Sequence, residues 1–121
     1  MDKIQMFKNE ALIKKAYEGF NNREVDIVLS VMHPDIHWPK AFEGGYVIGH
    51  EAVRSYWRRQ WTEINPIVNP VSIVSLPDGK VEVQVHQLVK DLAGNILFDG
   101  PVKHIYVIKN ELLNHMDIEV S

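Results

Sequence analysis

The sequence predicts an α+β protein in which three N-terminal helices pack on a strongly curved antiparallel sheet. Two observations carry this prediction. Over the first half of the chain, apolar residues recur at intervals of three and four, which is the spacing of one helix face. From Pro66 onward the interval changes to two, the period of a strand with one buried face. The period changes once, so the helices and the strands occupy separate halves of the chain.

The first two helices are separated by a pair of asparagines. The apolar side of the first helix consists of Leu12, Ile13, Ala16, Tyr17 and Phe20. Asn21 and Asn22 then break the helix, because asparagine tolerates capping and left-handed backbone geometry. We expect a second helix from Val25 to Met32. Pro34 ends it, since the residue before a proline is pushed out of the helical region.

The third helix follows a short connecting region. An extended piece from Asp35 to Trp38 and a loop with Gly44 and Gly45 lead to a helix from about His50 to Ile64. Its buried stripe is predicted to contain Val53, Tyr56, Trp57, Trp61 and Ile64. The connecting region and this helix carry His and Trp side chains, so we interpret them as the rim of a pocket.

Four long strands are expected after the third helix. They are rich in Val and Ile and occupy residues 67–76, 80–91, 95–109 and 112–120. Short turn sequences separate them, so consecutive strands should pair antiparallel. Strands this long twist and coil. The predicted result is a cone-shaped barrel whose concave face and helices enclose an internal pocket.

The composition predicts one globular domain, spanning residues 1–121, in the cytoplasm. Hydrophobic residues make up 45% of the chain and charged residues 24%. Thirteen Lys and Arg against sixteen Asp and Glu give a net charge of −3, so we expect no nucleic-acid or membrane partner. The start of the sequence lacks the apolar core of a signal peptide, and no later apolar run reaches the roughly 18 residues of a membrane span.

No metal or cofactor is expected. The chain has no Cys, which excludes thiolate ligands and nucleophiles. His33 and His37 are four residues apart, but Pro34 between them prevents the helix that would align their rings. Phosphate-binding glycine loops and nucleotide fingerprints are absent from the sequence.

Five segments carry a family resemblance. They are YEGFNNREVD at the end of the first helix, MHPDIHWP, IGHEAVRSYW, VHQLVKDLAGN and the late MDI. Together they are similar to the nuclear transport factor 2-like superfamily, in particular to its SnoaL-like branch. The resemblance implies the cone-shaped fold and its cavity. The family includes isomerases, dehydratases, cyclases and non-enzymatic binding modules, so the fold does not decide the function.

The ketosteroid isomerase branch of this family fits poorly at its catalytic positions. Its oxyanion-binding Tyr would fall near Ala16, its base Asp near Lys40 and its neutral acid Asp at His104. None of the three residue types is retained. The position of the acid, His104, still holds a group that transfers protons.

A second branch, similar to scytalone dehydratase, implies a different set of catalytic residues. Its members use two strand histidines around a water, for which this chain offers His86 and His104. Asn114 on the last strand and Tyr17 on the first helix would complete the site. His86 and His104 would act as general base and acid near neutral pH. The alternative is that they only orient a polar ligand or satisfy each other.

Two arguments place the His86 side chain on opposite faces of the sheet. A hydrophobic count would place Val81, Val83 and Val85 inside the cone and His86 outside. The register implied by the resemblance places His86 inside. We follow the register, because both faces of a dimeric sheet can be buried.

The last strand has a similar ambiguity. We place Asn114 and Met116 inward, since His115 and Asp117 suit an outer face better. A slip of one residue would exchange the two sets.

The remaining predictions concern ligand contacts and assembly. The cavity wall is expected to contain Trp38, Trp57, Trp61, Tyr106, Asn114 and Met116. Ile105 and Val107 lie on the side of the third predicted strand that faces away from the cavity. This side is unusually apolar for a surface exposed to solvent, which predicts a homodimer through the outer face of the sheet.

The sequence thus predicts a small-molecule-binding protein with His-based isomerase, dehydratase or cyclase chemistry on a partly apolar substrate. The alternative is a non-catalytic ligand-binding or protein-interaction module.

Overall fold

The structure is a computed structural model that describes residues 3–41 and 43–120. Its helices are α1 (Lys3–Asn21), α2 (Val25–Ser30) and α3 (His50–Gln60). Its strands are β1 (Met32–Pro39), β2 (Tyr46–Ile48), β3 (Ile64–Ser75), β4 (Val81–Asp91), β5 (Ile96–Lys109) and β6 (Leu112–Val120). None of the described helices combines the length and the apolar character needed to cross a bilayer.

The described strands form one mixed sheet in the order β2-β1-β6-β5-β4-β3. β1 runs parallel to β6, and every other neighbouring pair is antiparallel. The predicted α+β class, with helices packed on a meander of four long strands, is confirmed. The sheet differs from the prediction in two respects, because it is mixed and because β2 and β3 remain as edges rather than closing a barrel.

Strand β1 replaces the end of the predicted second helix. Helix α2 ends at Ser30, not at Met32, and the chain then pairs with β6 through Met32 and Leu113. The backbone N–H of Leu113 also donates to the carbonyl of Val31 at 2.9 Å. This pairing depends on a partner about eighty residues away, so it overrides the local helical pattern. Pro34 lies where the register with β6 shifts, a position that tolerates the missing N–H.

Helix α3 is shorter than predicted. It starts after Gly49, whose φ of 90° favours glycine and whose N–H donates to the Ile36 carbonyl at 2.9 Å. It ends at Gln60 instead of Ile64, because Ile64 already pairs with Asp91 at the start of β3.

The core lies between the helices and the inner face of the sheet. On β4, Val81, Val83 and Val85 are at most 1% exposed, and Val83 is paired with His104 of β5. Trp57 of α3 is fully buried above them. All four side chains belong to one core cluster, and of these four Trp57 lines the cavity in which the candidate site lies.

Two hydrogen bonds attach the end of α1 to β3. The side-chain amide of Asn21 donates to the Val68 carbonyl at 2.7 Å and accepts from the Val68 N–H at 2.9 Å. The asparagine that ends α1 therefore also fixes the position of the helix against the sheet.

Helices α1 and α2 approach each other closely at Gly19. A Cβ at this position would lie 2.8 Å from Cγ2 of Val28 and 3.3 Å from Cγ2 of Ile27. Gly19→Ala should lower the free energy of unfolding by about 1 kcal/mol, because overpacking of the buried Val28 outweighs the gain in helix propensity. Urea denaturation measures the change. Gly100→Ala is the control, since its Cβ would make only ordinary contacts at 3.6 Å or more. A Gly19→Ala variant as stable as the parent would contradict this account.

Candidate functional site

A chain of three buried polar side chains lies between α1 and β5. The hydroxyl groups of Tyr106 and Tyr17 are hydrogen-bonded at 3.0 Å. The Tyr17 hydroxyl lies 2.7 Å from Nδ1 of His104. All three residues are 4% exposed or less. Tyr17 and His104 are 87 residues apart in sequence, so their contact joins the first helix to the fifth strand.

The network contacts His104 through Nδ1. Its protons have two consistent arrangements: Tyr106 donates to Tyr17 and Tyr17 to Nδ1, or Nδ1–H donates to Tyr17 and Tyr17 to Tyr106. In the first arrangement the neutral ring carries its proton on Nε2, and in the second on Nδ1. Among the described residues Nε2 has no hydrogen-bond partner, and His104 lines the adjacent cavity. Nε2 is therefore the ring nitrogen that the network leaves for a ligand.

Burial keeps these groups neutral. Burial lowers the pKa of His104 from 6.5 to about 4, because the surroundings disfavour the imidazolium. Burial also raises the pKa of Tyr17 and of Tyr106 above their ordinary value of 10. At neutral pH the site is thus an uncharged hydrogen-bonded chain in an apolar environment.

The cavity beside His104 has two adjoining compartments, of about 30 and 40 Å³. Both are lined by Phe20, Trp38, Trp57, Val68 and His104. About 10–15 Å³ is enough for one water molecule, whereas ligand pockets measure roughly 300–1,000 Å³. The cavity accommodates a few waters as it stands, and an organic ligand requires side chains of the wall to move.

The two compartments differ in polarity. The inner compartment, of about 30 Å³, is bounded by Tyr17, Tyr106 and apolar side chains together with the shared residues. The outer compartment, of about 40 Å³, also includes the amide side chains of Gln60 and Gln87. No Asp, Glu, Lys or Arg lines either compartment within the described part of the chain. His104 is accordingly the one lining residue there whose ordinary pKa lies near neutrality.

Most of the predicted cavity residues lie where the sequence placed them. The inner compartment is lined by Tyr17, Trp38, Trp57, His104 and Tyr106. Met116 lines the outer compartment. The structure therefore brings Tyr17 and His104, two of the three predicted catalytic residues, into direct contact beside predicted binding residues.

The predicted inward position of His86 is wrong. Its side chain is 49% exposed on the opposite face of the sheet, where Nε2 lies 2.6 Å from Oδ1 of Asp99. The inner face of β4 belongs to Val81, Val83 and Val85 instead. The hydrophobic alternation of β4 predicted its inner face correctly, whereas the register implied by the resemblance did not. Burying three valines is more favourable than burying one imidazole.

Trp61 and Asn114 also lie outside the cavity. Trp61 caps the end of α3, stacks on Trp57 with ring centroids 5.9 Å apart, and lines a surface groove. Asn114 is half-buried beside a register shift between β5 and β6, and lines neither compartment. The shift moves Asn114 away from the alternation that holds Met116 inside.

The last strand takes the predicted register at Met116. His115 and Asp117 lie on the outer face, where His115 Nε2 is 3.2 Å from Oδ2 of Asp117. The ring of His115 stacks on His37 at 5.5 Å, and the Tyr46 hydroxyl donates to Asp117. The alternative in which His115 and Asp117 face His104 does not occur.

Several wall residues were not predicted as part of the site. Phe20 and Val68 line both compartments, and Gln87 lines the outer one. The alternation of β4 contained a signal for Gln87, since it continues the inward series of the buried valines. No signal in the sequence distinguishes Val68 from the other valines of β3.

The described residues contain no group of three or more His, Cys, Asp or Glu side chains arranged to hold a metal ion. The histidines nearest to such an arrangement, His37 and His115, are stacked face to face rather than converging on one point.

Comparisons with known proteins agree with this architecture. The sequence profile of the SnoaL-like domain matches residues 13–91. No curated protein sequence matches the chain. An NTF2-like protein of unknown function from Burkholderia pseudomallei is similar in structure, with a TM-score of 0.81 and 21% identity over 94% of this chain and 91% of that chain.

Two further solved structures are similar. TerC, co-crystallized with polyporic acid, has a TM-score of 0.81 and 23% identity, covering 94% of this chain and 92% of that chain. A putative polyketide cyclase from Xanthomonas campestris has a TM-score of 0.73 and 17% identity, covering 92% and 88%. Identities this low show the shared fold alone.

The lowered pKa of His104 predicts a pH-dependent stability. Between its folded pKa of about 4 and the unfolded value of 6.5, the unfolded chain binds more protons. Stability is therefore lost as pH falls through this window, and His104 should account for about 2 kcal/mol between pH 7 and pH 5. Urea denaturation at several pH values measures the slope. His104→Gln should flatten it, because no imidazole then titrates at this buried position. An unchanged slope in His104→Gln would refute the assignment.

Proposed function

Since the chain belongs to the SnoaL-like domain family, we propose that it binds a small, partly apolar organic molecule in the cavity beside His104. One observation carries the proposal: buried His104 lines an otherwise apolar cavity, its Nε2 has no partner among the described residues, and its Nδ1 is hydrogen-bonded to the pair Tyr17 and Tyr106. TerC, similar in fold, was crystallised with an organic molecule, polyporic acid. The proposed walls are Phe20, Trp38 and Trp57.

In the catalytic form of this proposal, the protein is a cofactor-independent isomerase, dehydratase or cyclase. His104 transfers or shares a proton at Nε2 with an oxygen of the substrate. Tyr17 holds the imidazole ring in place through Nδ1. Tyr106 in turn orients the Tyr17 hydroxyl. His86 takes no part, because it lies on the other face of the sheet.

A second candidate is a non-catalytic binding protein. Two observations favour it. The low pKa of His104, about 4, makes the imidazole a weak base at neutral pH. The described lining also offers no carboxylate as a second proton-transfer group. In this case His104 would only hydrogen-bond the ligand.

Ligand binding and catalysis are tested in sequence. A library of small cyclic ketones, phenols and hydroxyquinones is titrated against isotope-labelled protein. Compounds that bind as proposed perturb the NMR resonances of Tyr17, Val68 and His104. Perturbations confined to surface residues throughout the library would count against the cavity as a ligand site.

For any compound that is converted, His104→Gln should lower kcat/KM by about 100-fold or more, the usual contribution of a general acid or base. His86→Ala should retain the parental rate, since its imidazole is on the outer face. Circular dichroism verifies that both variants are folded. Full activity in His104→Gln would remove His104 from the mechanism and leave the binding function.

We also propose that the protein forms a homodimer through the outer face of the sheet. Val74, Glu82 and Ile105 are neighbours across β3, β4 and β5 on that face. Val74 is 46% exposed, so an apolar side chain is available for contact. The adjacent Glu82 and Lys103, 3.9 Å apart, provide opposite charges that a second copy can match.

The cytoplasmic location stays a prediction from the sequence.

The proposed dimer has a direct test. Light scattering after size exclusion at micromolar concentration should give twice the 14.0 kDa of the chain. Val74→Lys should shift the protein to monomer, because it adds a charge on the proposed interface. Ile4→Lys replaces an equally apolar residue, 71% exposed on α1, and should leave the dimer intact. A monomeric parent protein would contradict the proposal.

A further inference from the structure

A groove on the protein surface is separate from the cavity beside His104. It lies between α3 and the turn that joins α1 to α2, and its volume is about 500 Å³. This volume falls within the roughly 300–1,000 Å³ of ligand pockets. No described residue lines both the groove and the cavity. The charged side chains along the groove are Arg23, Glu24, Asp26, Arg54 and Arg58.

One of the three arginines is neutralised within the protein. Nη2 of Arg54 lies 2.8 Å from Oδ1 of Asp26, and its Nε lies 3.5 Å from Oε1 of Glu51. These ion pairs also occupy Asp26. Glu24 is left as the carboxylate of the groove that has no ion pair within the described part of the chain.

Arg23 is a partly desolvated cation without a carboxylate partner. Its Nη1 donates to the Phe20 carbonyl at 3.1 Å and its Nη2 donates to Oδ1 of Asn65, so both acceptors are neutral. The guanidinium packs over Trp61, 4.9 Å from the ring centroid, and the side chain is half-buried. Burial lowers the pKa of Arg23, and no carboxylate counteracts this shift. An anion in the groove would compensate its charge.

Arg58 is the second cation without a partner. It is exposed, and it forms no ion pair with a described residue. It also follows Arg54 by four residues on α3, a spacing at which like charges destabilise a helix. The unpaired charges of the groove are thus two guanidinium groups against the single carboxylate of Glu24.

We propose that this groove binds a small organic phosphate monoester, whose phosphate group is held by Arg23 and Arg58. Phosphate monoesters carry about −1.5 to −2 charges at neutral pH, which matches two guanidinium groups better than a singly charged carboxylate does. The planar donors of arginine also suit phosphate oxygens. Val25, Ile27 and Trp61 supply apolar surface for the organic part of the ligand. The site is independent of the ligand proposed for the His104 cavity.

Two esters of the same shape test the charge of the ligand. Near neutral pH phenyl phosphate is mostly a dianion, whereas phenyl sulfate is a monoanion. In titrations followed by ¹H–¹⁵N spectra at fixed ionic strength, phenyl phosphate should bind about fivefold more tightly, the factor that one more charge near an exposed cation contributes. It should shift the Nε–H resonances of Arg23 and Arg58. The amides of Tyr17 and Val68 at the cavity should not move.

Two adjacent arginines of α3 give the matched comparison. Arg58→Gln should weaken the binding of phenyl phosphate by about fivefold, because it removes one of the two unpaired charges. Arg59→Gln changes the net charge equally, but Arg59 pairs with Glu43 and does not line the groove. Its affinity should match that of the parent. Glu24→Gln should instead strengthen binding, since the carboxylate that repels the phosphate is removed.

Several outcomes would overturn the phosphate site. The first is an absence of shifts at Arg23 and Arg58 at millimolar phenyl phosphate, and the second is equal affinity for the two esters. The third is an equal loss of affinity in Arg58→Gln and Arg59→Gln, because binding would then follow only the net charge. Shifts confined to Tyr17 and Val68 would place the probe in the cavity, so they would overturn the groove and leave the proposed function standing. The three substituted side chains are exposed, and circular dichroism verifies that the variants are folded.

Discussion

The hydrogen bond between Tyr17 and His104 is the contact on which the organisation of the site depends. It joins α1 to β5 across the core, with both side chains almost fully buried. A polar pair in such surroundings must be satisfied internally, since either partner alone would leave an unpaired group at a cost of about 1–3 kcal/mol. The contact therefore restricts the placement of the helix as well as the chemistry of the ring. Tyr106 completes the network through its hydrogen bond of 3.0 Å to the Tyr17 hydroxyl.

The same contact determines what the cavity offers to a ligand. Tyr17 occupies Nδ1 and leaves Nε2 of His104 without a partner among the described residues, and burial keeps the ring uncharged near neutral pH. No ionised side chain lines the described cavity. A neutral Nε2 donates to a ligand oxygen when it carries the ring proton and accepts from a ligand hydroxyl when Nδ1 carries it. The same atom therefore serves the binding and the catalytic alternatives, because a donor that binds a carbonyl oxygen also stabilises the enolate derived from it.

An element of the fold could be predicted from the sequence where the interactions that form it are local. The meander β3–β6 followed from alternation and short turns, and the segregated helices gave the class. Strand β2 was missed, and only the extended piece from Asp35 to Trp38 of β1 was predicted, because the full length of β1 depends on its pairing with β6, far along the chain. Tyr17 and His104 were identified by residue type and family resemblance, but their direct contact depends on packing that no spacing encodes. His86 shows the converse, since the local valine pattern was correct and the register taken from the resemblance was not.

The size of the cavity sets a condition on any ligand. Its compartments, of about 30 and 40 Å³, are far smaller than ligand pockets of roughly 300–1,000 Å³. An organic ligand must therefore displace parts of the wall, and Phe20, Trp38 and Trp57 are the aromatic side chains that both compartments share. Moving them forfeits packing contacts. Only a ligand whose own apolar surface replaces those contacts offsets this cost, so the walls favour a partly apolar molecule while His104 favours one with a polar atom.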